Sequence, residues 1–210
     1  MISVSDAKKI IEENIKRLIT KDVLLEQAAN QVLAEDIIAP FDIPAYYQSS
    51  MDGYAFNFAD LANFTSLQIL GEKAAGSTEL SDLAQGTACR IFTGAPLPSG
   101  ADTVVMQEKV RIRDGMIWID DPNIQQRLNV RAPGAEIKQG ETALKREHHI
   151  SPASISYLAA IGITTVNVYA LPVVTIIITG NEFQSRGIAP EYGKVYESNS
   201  LGLTAALTQT

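Results

Sequence analysis

The periodicity of this chain changes twice along its length, and that interruption limits its architecture more than any other feature. Ser3 followed by Asp6 is a capping-box-like start. Ala7, Ile10, Ile11, Ile15 and Leu18 then fall on one face of a helix ending near Ile19, and that face needs a partner. A second short helix is expected over Leu24 to Leu33, with Leu25, Ala28, Ala29 and Val32 apolar at helical spacing. Pro40 and Pro44 enforce an extended crossing segment, since each restricts its own φ and disfavours helix in the residue before it. From about Tyr54 to Leu144 the pattern is short β runs punctuated by Gly, Pro, Asn and Asp, as in a compact all-β module. Helical spacing returns at Ser151 to Ile161, with Ser151 as N-cap, Pro152 at the first helical position and Gly162 as the stop. This helix is expected to pack back on the first, leaving the β module as an insertion.

The sharpest local signal inside the module is Asp114-Gly115 between Val110-Arg111-Ile112-Arg113 and Met116-Ile117-Trp118-Ile119. A two-residue type I′ turn there pairs Ile112 with Ile117 and Val110 with Ile119 on one face, and Arg111 with Trp118 on the other. The aliphatic face is expected to be core, with Arg111 lying across the Trp118 ring.

After a strand at Thr164 to Tyr169, Pro172 marks a boundary. Val173 to Thr179 reads as the first buried strand of a parallel α/β unit, and Ser198-Asn199 as an N-cap for a helix over Leu201 to Leu207. One strand and one helix cannot make a covered sheet, so the chain reads as a fragment of a longer protein, its tail mobile or covered by another subunit.

Composition narrows the functional classes. The 210 residues are 46% hydrophobic and 20% charged with a net charge of -7, ordinary for a globular protein and unsuited to unaided binding of nucleic acid or an anionic membrane. The single Cys89, in an apolar-flanked run, is expected to be a small buried side chain in a reducing compartment. No secretory signal and no bilayer-length apolar run is seen, so a cytoplasmic location is expected. His148 and His149 are adjacent, diverge in any regular structure, and read as surface residues rather than a metal pair. Zinc, dinucleotide and P-loop signatures do not occur.

Two segments carry the functional signal. Tyr47-Gln48-Ser49-Ser50-Met51-Asp52-Gly53-Tyr54-Ala55 places a carboxylate at an Asp-Gly pair, which physics alone reads as a turn with Gly at positive φ and a solvated Asp. Arg90-Ile91-Phe92-Thr93-Gly94-Ala95-Pro96-Leu97-Pro98-Ser99-Gly100-Ala101-Asp102 to Glu108 is a strand-like run, a Gly/Pro-rich loop and another strand-like run. Asp52 and Thr93 thus sit in loops on a β scaffold, where ligand contacts are commonly built. With Phe41-Asp42-Ile43-Pro44, Asn129-Val130-Arg131, Thr179-Gly180-Asn181-Glu182 and Tyr196-Glu197-Ser198-Asn199, these blocks occur in an order that resembles the MoeA/gephyrin E-domain family of molybdopterin molybdenumtransferases.

The resemblance implies an α+β multidomain fold. A discontinuous helical and extended dimerisation domain (1–50 with 141–171) carries an inserted all-β, barrel-like module (51–140), followed by the truncated start of an α/β molybdopterin-binding domain (172–210). It implies Mg-dependent insertion of molybdate into adenylylated molybdopterin with release of AMP, the catalytic unit being incomplete in this stretch. Asp52, Thr93 and Glu182 are the implied catalytic residues. Arg131, Ser198 and Asn199 are the implied pterin-binding residues, and Asp52, Glu136 and Glu182 the implied Mg²⁺ ligands. Glu182 also lies just past the carboxyl end of the expected strand, where open α/β sheets place ligands. The implied assembly is a homodimer with active sites shared between subunits, and other molybdenum cofactor biosynthesis proteins are implied partners. The chain departs from the family pattern at Asn181, where an Asp is usual, and at Ala132, Pro133 and Ala135, which removes charged groups from the neighbourhood of Arg131 and Glu182. A non-catalytic dimeric scaffold of the same fold, as in gephyrin, is the alternative.

Overall fold

A computed structural model describes residues 2–76 and 82–208. Helix α1 (Val4–Asn14) and strand β1 (Thr20–Leu24) open the chain. The strands β2 (Ile37–Ile38), β3 (Gln48–Ser49), β4 (Gly53–Phe56), β5 (Leu67–Lys73), β6 (Thr87–Ile91), β7 (Thr103–Met106), β8 (Val110–Arg113), β9 (Met116–Ile119), β10 (Val130–Arg131) and β11 (Thr142–Leu144) follow. Helix α2 (Pro152–Ala160), strands β12 (Thr165–Tyr169), β13 (Phe183–Gln184) and β14 (Val195–Tyr196), and helix α3 (Asn199–Thr208) complete it. The chain divides into two compact units, 1–36 with 144–210, and 37–143.

In the first unit β1 pairs antiparallel with β12, from Thr20 opposite Tyr169 to Leu24 opposite Thr165. Its core includes Leu25, Ala28, Leu33, Ile150, Leu158, Ile161, Val166 and Val168. The start of α2 follows expectation: Ser151 and Ser154 exchange backbone-to-hydroxyl bonds as a capping box, Pro152 opens the helix, and Gly162 stands beyond its end at φ 86°. His148 is not a free surface residue, because its Nε2 shares a hydrogen bond of 2.8 Å with the Ser154 hydroxyl.

Four expectations for this unit are overturned. Helix α1 stops at Asn14 rather than near Ile19, since Ile15 is extended and the chain moves on to pair as β1. No residue of α1 is buried, and α2 packs against the single 3-10 turn Leu25–Gln27 instead of α1. The helix expected over Leu24 to Leu33 is replaced by that 3-10 turn and two bridges, Val32 to His149 and Leu33 to Val168. Asn30 at φ 63° is the local reason: it takes the left-handed conformation that Asn tolerates and a helix interior does not. Val173 to Thr179 forms no strand, and Val173 and Ile177 are 96% and 80% exposed. An apolar, β-branched run becomes a strand only when a neighbour pairs its backbone, and none of the described strands does so. The helix expected at Leu201 to Leu207 is present as α3.

The second unit is built on a six-stranded sheet of order β7-β4-β6-β5-β9-β8, antiparallel throughout except for the parallel β5–β6 pair. Strand β4 lies between β6 and β7 and all four of its residues are buried. Alternation along it feeds two cores. Tyr54 and Phe56 join Leu67, Ala88, Val105 and Ile117, whereas Ala55 joins Ile91, Ala95 and Val104. Cys89 is buried as expected, and burial pushes its thiol up from its usual titration range.

The β8–β9 hairpin has the expected register, Ile112 opposite Ile117 and Arg111 opposite Trp118, with Asp114 and Gly115 at φ 50° and 74°. Its burial differs from expectation. Ile117 is fully buried, but Ile112 is 56% exposed because β8 is the edge of the sheet. Arg111 does not stack on Trp118; its guanidinium takes a two-pronged bond to Asp120, with Nη2 at 2.9 Å from Oδ1. A bidentate charge-assisted bond outcompetes a solvent-exposed cation–π contact.

Candidate functional site

The site grows from a short connection. Strand β3 ends at Ser49, whose buried hydroxyl donates to the Met51 carbonyl, and the bend Ser50 to Asp52 leads directly into β4. The bend is clamped from two sides, by the Gln107 N–H on the Asp52 carbonyl at 3.1 Å and by the Ser50 N–H on the Asn129 carbonyl at 3.0 Å. Gly53 is not the positive-φ residue that an Asp-Gly turn implies. It is the first residue of β4, where an added Cβ would lie 1.9 Å from the Val105 carbonyl oxygen, so glycine is required by the approach of β7.

The second wall is the loop after β6. The Ala95 N–H bonds the Phe92 carbonyl at 3.0 Å, closing a turn with Gly94 at φ 81° in its third place, as a type II turn requires. The Gly94 N–H in turn donates to the Ser49 carbonyl at 2.9 Å, tying this loop to the Asp52 bend. Thr93 is thereby brought onto Asp52. Its backbone N–H and its hydroxyl both donate to Asp52 Oδ1, each at 2.8 Å. The Thr93 N–H, then its hydroxyl, and to a smaller extent the Arg90 charge hold the Asp52 carboxyl below the usual carboxylate range. Asp52 is exposed, and Oδ2 accepts none of the hydrogen bonds made by the described residues.

Two residues of this corner, Arg90 and Gln107, lie in the Arg90 to Glu108 block but receive no role from sequence. Arg90, on β6, places its guanidinium carbon 5.2 Å from the Tyr54 ring centre and 5.1 Å from that of Phe92, and its Nη2 donates to Gln107 Oε1. Gln107 thus links Arg90 to the Asp52 carbonyl. The available signal was period two: Arg90 and Phe92 share a strand face, although the facing Tyr54 depends on pairing.

The other implied residues are placed as follows. Arg131 lies on β10, which pairs with β3 so that Arg131 faces Gln48, alongside the approach to the Asp52 bend. Its guanidinium is 3.4 Å from Glu136 Oε1, and both side chains are about half exposed (49% and 59%). Glu182, Ser198 and Asn199 belong to the other unit. Gly180 gives Glu182 its room, since a Cβ there would lie 2.6 Å from Glu182 Oε2. The start of α3 is not capped by Ser198 or Asn199. Glu197 does this, accepting the Ser200 N–H at 2.7 Å together with the Ser200 hydroxyl, and these bonds hold its carboxyl below the usual range. Among the described residues no three His, Cys, Asp or Glu side chains gather as a metal-binding group.

Residues 2–162 match the family model described as MoeA N-terminal region (domain I and II). The chain belongs to the MoeA family. Molybdopterin molybdenumtransferase of Haemophilus influenzae is 34% identical over 202 residues, 95% of this chain and 50% of that protein. Molybdopterin molybdenumtransferase 2 of Mycobacterium tuberculosis is 33% identical over 216 residues, 99% of this chain and 52% of that protein. A crystal structure of the molybdopterin biosynthesis MoeA protein of Pyrococcus horikoshii superposes with a TM-score of 0.87 at 31% identity, covering 99% of this chain and 57% of that one. The MoeA domain I and II fold is therefore established here, and the chain spans about half the length of the MoeA relatives it matches. Among its described residues no helix is long and apolar enough to cross a membrane.

Proposed function

We propose that the full-length protein is a cytoplasmic molybdopterin molybdenumtransferase of molybdenum cofactor biosynthesis, inserting molybdate into adenylylated molybdopterin with release of AMP. The observation that carries this reading is the Asp52–Thr93 corner, an exposed carboxylate held ionised through one oxygen with the other left open. A carboxylate held below its usual range is a weak proton acceptor, so its role is that of a fixed negative oxygen ligand rather than a general base. Thr93 orients it: two donors on one oxygen set the carboxylate plane. Asp52, with Glu136 and Glu182, are the residues that would hold Mg²⁺, since carboxylate oxygen suits a hard cation, although Glu136 must first leave Arg131. When bound, Mg²⁺ supplies neutralisation of charge at the cleaved phosphoanhydride. Arg131, Ser198 and Asn199 are the proposed contacts to the pterin nucleotide.

In this reading 1–50 with 141–171 form a dimerisation domain, 51–140 the β module, and 172–210 the beginning of the pterin-binding domain. The exposed Ile10, Ile11, Ile15 and Leu18 supply an apolar surface for a homodimer. Other proteins of cofactor biosynthesis are the proposed further partners, and the 210-residue stretch alone is inactive. Replacing Asp52 by Asn in the full-length protein keeps the size and removes the charge. Loss of metal-dependent molybdate insertion and AMP release with an unchanged melting temperature is the expected result. Wild-type rates would remove Asp52 from the chemistry and favour a non-catalytic scaffold.

A further inference from the structure

The arginines of the 37–143 unit differ in what neutralises them. Arg111, Arg113 and Arg131 each meet a carboxylate, from Asp120, Asp114 and Glu136 respectively. Arg90 and Arg127 form no ion pair among the described residues; the Arg127 charge acts on Asp102, whereas Arg90, with Glu72 opposite it in the β5–β6 register, is the one joined to the Asp52 bend. It is held instead by two aromatic rings and the neutral amide of Gln107, and neither kind of contact cancels its charge. The same contacts fix its position. Arg90 stands opposite Tyr54 in the β4–β6 pairing, and the rings leave the planar group few rotamers to lose when a ligand arrives. Gln107 then joins it to the corner, since the Gln107 N–H holds the Asp52 carbonyl and its side-chain oxygen accepts from Arg90 Nη2.

A corner made of Asp52 alone repels a negatively charged substrate. Any oxyanion approaching Thr93 and Asp52 needs a cation within reach; Arg131 is assigned to the pterin nucleotide, whereas Gln107 ties Arg90 directly to the Asp52 bend. We infer that Arg90 is an oxyanion-contacting residue of this site, presenting its ring-stacked guanidinium to a tetrahedral dianion, either molybdate or the phosphate group of a nucleotide. A guanidinium matches two oxygens of such an anion at once, and only one of its Arg90 nitrogens is engaged by Gln107.

This inference rests on the proposed transferase reading, and the test separates the two. Equilibrium dialysis of the full-length protein against molybdate, and in a second series against AMP, is run on wild type, Arg90→Met, Arg90→Lys and Gln107→Glu. Arg90→Met keeps the stem and removes the charge; at least a tenfold loss of molybdate affinity at constant melting temperature is expected. Arg90→Lys restores the charge without the fork and regains only part of that loss. Gln107→Glu neutralises Arg90 in place without touching its packing, so it reports on the charge even where Arg90→Met fails to fold, and it too is expected to weaken binding. A loss confined to AMP assigns the contact to the nucleotide phosphate. Unchanged affinity for both anions in Gln107→Glu and in any folded Arg90 variant overturns the inference. Wild-type protein that binds molybdate through Arg90 but transfers no molybdenum overturns the transferase reading and leaves Arg90 standing. In the transfer assay a contact residue raises KM for molybdate with kcat retained, whereas a purely structural residue lowers the melting temperature and leaves KM alone.

Discussion

Thr93 donates twice to a single oxygen of Asp52, through its backbone N–H and through its hydroxyl, across 41 residues of sequence. The backbone bond survives replacement of Thr93 by Val, whereas the hydroxyl bond does not. The pair is therefore separable by substitution, and it holds the Asp52 carboxyl below the usual carboxylate range.

For Thr93→Val the Asp52 pKa is expected to rise part of the way toward the ordinary carboxylate value, the N–H bond remaining. A group whose folded pKa is depressed contributes stability above its unfolded pKa, and that contribution is lost as pH falls through the folded value. The stability gap between wild type and Thr93→Val should accordingly be full near neutrality, begin to close as pH falls below about 4, the unfolded carboxylate range, and vanish below the folded Asp52 value. Carbon-detected NMR titration of Asp52 with parallel thermal melts measures both; an unmoved Asp52 titration contradicts the hydroxyl bond.

Gly53 and Gly115 are indispensable to different degrees. At Gly53 a Cβ meets the Val105 carbonyl oxygen at 1.9 Å, so Gly53→Ala must push β7 away from β4 and should cost on the order of 3 kcal/mol. At Gly115 the space is open and φ is 74°, so Gly115→Ala pays only for a left-handed alanine, about 1 kcal/mol. Urea unfolding of the two variants ranks them. Equal losses would mean that turn conformation, not strand approach, governs both.

Ile112 and Ile117 are register partners with unequal surroundings, one 56% exposed and the other fully buried. Ile117→Ala should lose about 2–5 kcal/mol and Ile112→Ala less than about 0.5 kcal/mol. Chemical denaturation of both single variants checks the asymmetry, and a comparable loss at Ile112 would place a covering element over the β8 edge.

If the proposed homodimer uses α1, Ile11→Asp should abolish it. Ile11 is 60% exposed, so the substitution has little to disturb within one subunit. Sedimentation of the full-length protein should show wild-type dimer and variant monomer with matching melting temperatures at low concentration. A variant that remains dimeric excludes this face.

Features that neighbouring residues settle among themselves are legible in the sequence alone. The β8–β9 register follows from a two-residue turn and a period of two, and the start of α2 follows from Ser151, Pro152 and Ser154 within one helical turn. The ordered blocks also singled out Asp52 and Thr93 together, and the structure brings the two into hydrogen-bond contact. Tertiary structure decided the rest, wherever two distant backbones compete for the same residue. Ile15 to Leu24 leave helical spacing because β12 offers strand pairing, and Val173 to Thr179 remain irregular because no described strand pairs with them. The Asp52-Gly53 pair resembles a turn by composition, but Gly53 is required by a carbonyl from residue 105. Arg90 acquires its place from the Tyr54 ring on β4, the Phe92 ring just past the end of β6 and an amide 17 residues away, a convergence that local pattern encodes only for Phe92, because cross-strand neighbours are set by pairing and not by adjacency.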